Sequence, residues 1–402
     1  MKTTLNDLAM FGGTPAFKEA LHVGRPNLGD RATFLDRINQ ILDSRWLSNM
    51  GPQELEFEDR VANTVGVEHC VAMCNATVAL EIAIRSLDLK GEVIVPSFTF
   101  VATAHALQWQ RVTPVFCDID PNTHNLDPAK VEAMITPQTS GILGVHLWGR
   151  PCDTTALQAI ANKHRLKLLF DAAHAFGCSY GGKQIGGFGD AEILSFHATK
   201  FVNSFEGGAV VTNNAELAAQ IRLMRNFGFC GYDEVTQLGI NGKMSEVCAA
   251  MGLTSLEAMD TIVEVNRRNW KAYREGLMGL PGISLLEYDN RERNNYHYVV
   301  IEVDSTRAAL ERDQLLELLH KENVLARRYF WPGCHRMEPY KSLYPNAHLS
   351  LAQTERVAAQ IITLPTGQTI TPEMIGKICS IIRMAFENAP AIRGVLKEKP
   401  KG

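Results

Sequence analysis

Four short stretches carry residues that can do chemistry, and all four follow segments that read as strands. Cys74-Asn75-Ala76-Thr77 stands between the apolar run His69 to Met73 and a helical pattern from Thr77 to Leu87. Small residues there place free backbone amides at a helix N-terminus, which makes a seat for phosphate. A plain Asn or Thr helix cap accounts for the same letters. Asp171 directly follows Leu166-Lys-Leu-Leu-Phe170, so a carboxylate stands at the carboxyl end of a strand, where open α/β sheets bind ligands. A pyridinium nitrogen is one partner for it, because an ion pair keeps such a ring protonated and makes it an electron sink; capping a helix is the other use. Ser195-Phe-His-Ala-Thr-Lys200 follows another strand and leads through Glu206-Gly207-Gly208 into Ala209-Val-Val-Thr212. Most lysines are solvated surface groups, but one in a ligand crevice can lose its proton and form an imine with an aldehyde. Pro96-Ser-Phe-Thr-Phe100-Val-Ala-Thr103 puts Phe100 past a fourth strand end, where it can lie flat on a ring or pack in a core.

Singly, each stretch has an ordinary structural use. Together, a phosphate seat, an aromatic plate, an acid and a lysine at successive strand ends describe one site, and that site fits pyridoxal 5'-phosphate.

The elements that must position these residues are legible in the pattern. From about residue 66 to 212, β-branched runs alternate with helical patterns, which predicts a mostly parallel sheet covered by helices. The predicted strands are His69 to Met73, Glu92 to Val95, Thr113 to Cys117, Gly141 to His146, Leu166 to Phe170, Ala191 to Ser195 and Ala209 to Thr212. In the helix from Thr77 to Leu87, the side chains of Leu80, Ile84 and Leu87 share a face and Glu81 can pair with Arg85. One long helix is predicted from Met244 to Leu277, before the breaker Gly279-Leu-Pro281-Gly282. A strand from Tyr296 to Val303, a helix from Arg312 to Glu322 and another from Pro372 to Glu387 then suggest a smaller α+β unit. We therefore expect an α/β chain with a large domain over 1–260 that includes an N-terminal arm, a small domain over 261–402, and a frayed tail from Lys397.

Bulk composition narrows the partners. The chain has 402 residues, is 46% hydrophobic and 21% charged, and carries 40 basic against 44 acidic residues, a net charge of −4. No apolar run approaches the roughly 20 residues of a membrane span, and no basic block outside the last residues offers a footprint for nucleic acid. The start lacks the pattern of a secretory signal, so a cytoplasmic location is expected. Nine scattered cysteines without a Cys-x-x-Cys pair predict buried free thiols, with neither a disulfide framework nor a metal site.

The whole chain, from Phe11-Gly-Gly-Thr-Pro15 to the last helix, resembles the DegT/DnrJ/EryC1/StrS sugar aminotransferases, a branch of fold type I pyridoxal-phosphate enzymes whose large domain holds a mostly parallel seven-stranded sheet. The matching segments include Trp46-Leu-Ser-Asn-Met-Gly51-Pro52, Val95 to Thr103, Val145-His-Leu-Trp-Gly149, Asp171-Ala-Ala-His174, Ser195 to Lys200, Glu206-Gly-Gly208, Gly239-Ile-Asn241 and Tyr329 to His335. The resemblance implies that Lys200 is the Schiff-base lysine and proton shuttle and that Asp171 pairs with the pyridinium nitrogen. Phe100 would stack on the ring, and His174 would sit near the 3-hydroxyl, where many relatives have Gln. The amides around Ala76, Thr77 and Val78, with the Ser195 hydroxyl, would hold the phosphate, and Asn241 would reach it from a neighbouring subunit in a homodimer. Asn49, Tyr329, Lys243 and His335 would contact substrate, while His197 is read as a packing residue. Two departures from the family stand out: Ala76 replaces its usual Gly, which a backbone donor tolerates, and Lys243 replaces a frequent Arg.

The implied reaction is amino transfer from L-glutamate to a keto sugar on a nucleotide, with the Ser195 to Lys200 wording favouring a 4-keto-6-deoxyhexose on dTDP or GDP. Amination at another ring position, amination of a cyclitol, or a regulator that kept the fold without catalysis are the alternatives. A dehydratase of the same family would carry His in place of Lys200. A plain nucleotide-binding protein would need a glycine-rich fingerprint after its first strand.

Overall fold

The computed structural model describes residues 2–397; residues 398–402, the end of the tail expected to fray, lie outside them. Seven strands form the central sheet: β1 (His69–Met73), β2 (Glu92–Pro96), β3 (Thr113–Cys117), β4 (Thr139–Val145), β5 (Lys167–Asp171), β6 (Ala191–Ser195) and β7 (Gly208–Thr212). Their spatial order is β1-β7-β6-β5-β4-β2-β3, parallel throughout except for β7, which runs against both β1 and β6. All seven are the strands read from sequence, with ends shifted by two residues or fewer. Helices cover both faces, so the strands are apolar along their length instead of alternating, and every residue of β6 and β7 is buried.

The helix after β1, Ala76–Ser86, starts where Asn75 caps it: the Asn75 side chain accepts from the Val78 amide at 2.9 Å. Leu80 and Ile84 on it, and Leu87 beyond its end, are buried as their spacing demands. The expected Glu81–Arg85 pair does not form among the described residues; Arg85 instead donates to Gln110 Oε1 at 2.9 Å. The predicted helix over 244–277 is two helices, Glu246–Glu257 and Met259–Leu277, because the Ala258 amide bonds three residues back to Ser255 at 3.2 Å and tightens the turn. The break lets the first helix lie along Pro52–Val65 while the second packs on Pro372–Glu387. No helix of the described residues is long and apolar enough to cross a membrane.

The smaller layer is an antiparallel sheet of β8 (Ile283–Leu285), β9 (Val299–Val303) and β10 (Ile361–Leu364). Sequence predicts a strand from Tyr296, but β9 begins three residues later. Tyr296 has a left-handed φ of 49°, and the His297 amide is taken at 3.1 Å by the Asn295 side chain, not by a strand. The same side chain donates to the carbonyls of His174 (2.9 Å) and Phe176 (3.1 Å), which bolts this bend to the large sheet. All nine thiols are free and six are buried, but Cys230 is exposed, contrary to the expectation of buried thiols.

The N-terminal arm, assigned to the large domain from sequence, packs on the smaller layer. Leu21–His22 pairs in parallel with Val324–Leu325, and Leu8, Phe17 and Leu21 are buried in one core with Val299 and Ile362. The fully buried Glu322 carboxylate accepts from the amides of Ala9 (2.6 Å) and Ala16 (2.7 Å) and pairs with Lys2 at 3.0 Å. Removing it strands two amide donors. The Glu322→Ala variant should therefore lose about 2–3 kcal/mol by denaturant titration and gain protease cleavage between residues 2 and 16; wild-type stability and an uncut arm would refute the clamp.

Candidate active site

The carboxyl ends of β1, β2, β5 and β6 converge on a cavity of about 300 Å³, a size that suits a small cofactor. Ala76, Thr77, Phe100, Asp171, His174, Ser195, Lys200 and Tyr329 all line it, so residues spread over more than half of the sequence share one wall. Thr99, Glu206, Tyr298 and Phe330 line it too, and so does His197, which sequence reasoning had set aside as packing.

At the floor, the first turn of Ala76–Ser86 presents backbone N–H groups to the cavity. The amides of Ala76 and Thr77 have no protein acceptor among the described residues, whereas that of Val78 is already taken by the Asn75 side chain. Val78 does not line the cavity, which corrects the expectation that its amide belongs to the phosphate seat. Gly208, paired with Ser195 across β6 and β7, keeps the seat open: a Cβ there would stand 2.5 Å from the Ala76 nitrogen. Ser195 is buried and its hydroxyl bonds to no protein group among the described residues.

Asp171 ends β5 and is buried. Its Oδ1 accepts from the Ala173 amide (3.1 Å) and its Oδ2 from the Thr103 hydroxyl (2.8 Å). Thr103 and Thr99 oxygens are 3.1 Å apart. Since a carboxylate only accepts, the Thr103 proton points at Asp171 and Thr99 donates to Thr103 in turn. Burial pushes the Asp171 carboxyl up from the usual aspartate range, opposed by these two bonds and by the Lys200 charge. Burial likewise brings Lys200 down to about 8, with Asp171 pulling the other way. The amine is thus partly neutral near physiological pH, as a nucleophile requires.

His174 is held neutral. The Trp148 amide donates to its Nδ1 at 3.3 Å, so its proton is on Nε2, 3.1 Å from the Tyr298 oxygen. Burial and the Lys200 charge keep its basicity well below the ordinary value. Tyr298 therefore accepts from His174 and keeps its own O–H free to donate. The ring of His174 stacks near Trp148 (5.9 Å, 25°) and Phe330 (5.9 Å, 19°), and Phe330 stacks in turn on Tyr329 (5.2 Å, 16°). Phe100 stands more openly, 58% exposed, 6.3 Å from Phe330.

Three residues expected to contact substrate, Asn49, Lys243 and His335, do not line this cavity, and neither does Asn241, which was expected at the site of a neighbouring subunit. His335 is buried with both ring nitrogens engaged, Nδ1 by Ser97 Oγ (2.7 Å) and Nε2 by Glu355 (2.6 Å); it is a structural tie, not a wall of the cavity. Asn241 is exposed, Lys243 sits 4.4 Å over the Phe227 ring, and the Asn49 carbonyl accepts from Trp46 Nε1 at 2.8 Å. None of these three lines the cavity of its own chain. Among the residues that sequence reasoning missed, Thr103 ended a quoted segment without receiving a role. Tyr298 lay in a predicted strand, where an aromatic reads as core.

Known proteins are similar to this chain in sequence and fold. The family model of the DegT/DnrJ/EryC1/StrS aminotransferases matches residues 29–383. A dTDP-4-amino-4,6-dideoxy-D-glucose transaminase of Shigella dysenteriae is 38% identical over 366 residues, 91% of this chain and 99% of its own. A GDP-perosamine synthase of Caulobacter vibrioides is 33% identical over 86% of this chain and 94% of its own. The solved structure of DesI in the presence of its TDP-sugar product superposes with a TM-score of 0.94 at 50% identity, covering 98% of this chain and 100% of that one. PseC of Helicobacter pylori, an aminotransferase of pseudoaminic acid biosynthesis, gives 0.85 at 28% identity over 92% of this chain and 100% of its own. The fold is fold type I, as expected from the sequence. With a family model spanning most of its length and relatives alike from end to end, the chain belongs to the DegT/DnrJ/EryC1/StrS aminotransferase family.

Proposed function

We propose that this aminotransferase uses pyridoxal 5'-phosphate to move an amino group from L-glutamate to a keto sugar carried on a nucleotide. The observation that carries the reading is the buried Asp171 carboxylate with its ordered Thr99–Thr103 donors, facing a cavity that also holds a weakly basic lysine. The residues present fit the cofactor: free amides in a cradle that a Cβ at Gly208 would fill, a buried hydroxyl at Ser195, a buried acid and an amine.

Ala76 and Thr77, with Ser195, would hold the phosphate, Asp171 the ring nitrogen, and Phe100 a face of the ring, with His174 beside the 3-hydroxyl as a neutral imidazole. When bound, pyridoxal phosphate supplies an aldehyde carbon for amines to join and a ring that withdraws electrons. The chain's own work is then positional and protic. Asp171, with Thr103 and the Ala173 amide as its donors and burial pushing its carboxyl up, would hold positive charge at the ring nitrogen and be kept ionised by it. Lys200 would join the cofactor's aldehyde carbon through its neutral amine with loss of water, and its Nζ, when free, would carry a proton between carbon atoms of the bound molecules. Tyr298 offers its free O–H to the bound molecules. The dTDP- and GDP-linked sugars in the relatives' names support a nucleotide carrier and a 4-keto-6-deoxyhexose acceptor, and with free nucleotide sugar and glutamate as substrates we place the reaction in the cytoplasm.

We further infer a homodimer in which Asn241 of each chain reaches the phosphate site of the other. Leu35, Leu42, Trp46, Leu47, Phe227 and Ile240 are exposed in the single chain, and such an apolar surface marks a contact region.

The purified protein should absorb near the visible edge, shift on adding L-glutamate, and lose that band in Lys200→Ala. Rebinding of cofactor to the stripped chain should speed up as pH rises and level off above about 8, because only the neutral amine reacts. A colourless protein that ignores added pyridoxal phosphate would end this reading. Thr103→Val should cut kcat about 10- to 100-fold, since a hydrogen bond to a buried charge contributes roughly 1.5–3 kcal/mol. Unchanged kcat would show that Thr103 does not support Asp171. Mixing inactive Lys200→Ala with inactive Asn241→Ala chains should restore about a quarter of the sites, because half of the dimers are mixed and each holds one intact site; no recovery on subunit exchange would rule out sharing.

A further inference from the structure

Arg327 stands beside the cavity at the edge of the smaller sheet. Its amide donates to the Thr363 carbonyl of β10 at 3.0 Å, and its carbonyl accepts from the Thr363 amide at 2.8 Å and the Thr363 hydroxyl at 3.1 Å. The side chain turns back over Tyr329, with the guanidinium carbon 5.1 Å from the ring centre. Tyr329 stacks on Phe330 (5.2 Å, 16°) and Phe330 on Trp148 (5.4 Å, 16°), and both Tyr329 and Phe330 line the cavity. Nearly parallel rings thus run outward from the buried Trp148 and end in the exposed Arg327 cation. Stacking uses the face of a guanidinium and leaves the N–H groups in its plane free.

Its neighbours are already engaged. Arg328 pairs with Asp313 at 3.1 Å and lies over Trp331 at 4.3 Å. Arg312 pairs with Asp313 at 2.7 Å and donates to the carbonyls of Ala358 and Ile361, and Arg336 pairs with Glu355 at 2.7 Å. The Arg327 guanidinium makes no ion pair and no hydrogen bond among the described residues. Positive charge is scarce in the cavity itself, where Lys200 is the one lysine or arginine of the described residues in the lining. The geometry points to Arg327 as the seat for the diphosphate of a nucleotide sugar, which its planar fork can grip through paired N–H groups. This assignment rests on the proposed function, in which glutamate and nucleotide sugar both carry negative charge into the cavity. The α-carboxylate of glutamate is bonded to the carbon that reacts and must travel inward with it. A diphosphate hangs from the anomeric carbon, across the sugar ring from a 4-keto group, so it stays outside while the keto carbon meets Lys200. Arg327 reaches the cavity wall from that outer side, through the Tyr329 ring.

The test titrates the full chain, as purified, with dTDP, with GDP and with phosphate-free thymidine by calorimetry, in wild type, Arg327→Gln and Arg327→Lys. The backbone ties to Thr363 do not involve the side chain, so both variants should fold. Wild type should bind at least one of the diphosphates, more weakly as salt rises. Arg327→Gln should lose about tenfold or more in affinity for that diphosphate, together with much of the salt dependence, because the anion loses hydrogen bonds from a charged donor. Arg327→Lys, which keeps the charge without the fork, should fall between the two, and thymidine should not tell the three proteins apart. A second arm follows the loss of the visible band against glutamate concentration, and its half-saturation should be the same in all three. An Arg327→Gln protein that binds the diphosphate as wild type does, or a wild type that binds neither diphosphate, would overturn the assignment. So would a rise in half-saturation for glutamate with diphosphate binding intact, which would give Arg327 to the donor's carboxylate. A wild-type band that ignores glutamate would instead end the aminotransferase reading, and the calorimetric arm is read independently of it.

Discussion

A carboxylate withdrawn from water sets the terms for the rest of this molecule. Burying an isolated ionised acid costs far more than two hydrogen bonds of roughly 1.5–3 kcal/mol each can offset, so Asp171 stays charged only with a cation in reach. Within this chain Lys200 acts on it as that cation. In the proposed function a pyridinium nitrogen would take that duty over and would leave the lysine free to act as an amine. The two residues are therefore one device. The same burial that strains Asp171 weakens the base at Lys200, and each charge limits the shift of the other.

The wall opposite is held by a chain of fixed protons. Trp148 sits in the left-handed region at φ 62°, an unfavourable conformation for a bulky residue that persists only where its surroundings over-determine it. Its backbone N–H and its Nε1–H both end on Nδ1 atoms, of His174 (3.3 Å) and His124 (3.2 Å), which puts each histidine's proton on Nε2. His124 passes its proton toward Glu302 of β9 at 2.9 Å, and His174 passes its own toward Tyr298. The next residue, Gly149, has φ 79° and no room for a side chain, since a Cβ would meet Asn295 Oδ1 at 2.8 Å. The smaller sheet is thus keyed to the cavity by unambiguous donors, and the imidazole at the site cannot change its charge.

The strands and the residues at their ends were legible because each is a local signal: a β-branched run, then a residue whose polarity has no reason to sit in a core. Asp171, Ser195 and Lys200 all obey that rule. Tyr298 escaped because its place at the cavity comes from a bend, and the bend comes from Tyr296 at positive φ and from one asparagine tied across to the other sheet. No pattern in residues 295–303 announces it. His335 misled for the converse reason: a histidine in an aromatic loop looks available, and only the partners on both ring nitrogens show that it is spent. The break at Ala258 depends on a tightened turn that alanine, a good helix former, does nothing to signal.

The segment that carries Asn241 ties these local facts to assembly. Gly242 donates to the Arg225 carbonyl (2.9 Å), and its own carbonyl accepts from the Cys74 amide (2.9 Å), directly before the phosphate seat. Arg225 is itself buried, with its guanidinium on Glu54, Glu58 and the Ala72 carbonyl, each at 2.7 Å. Removing one member of such a cluster leaves an uncompensated buried charge, so the segment has a firm foundation. Asn241 nevertheless faces outward. A residue anchored through its neighbours to one seat and turned away from it is well placed to serve a second seat in another chain. In the homodimer proposed above, any movement of the segment would act on its own phosphate floor through Cys74 and on the neighbouring site through Asn241, which would couple the two sites.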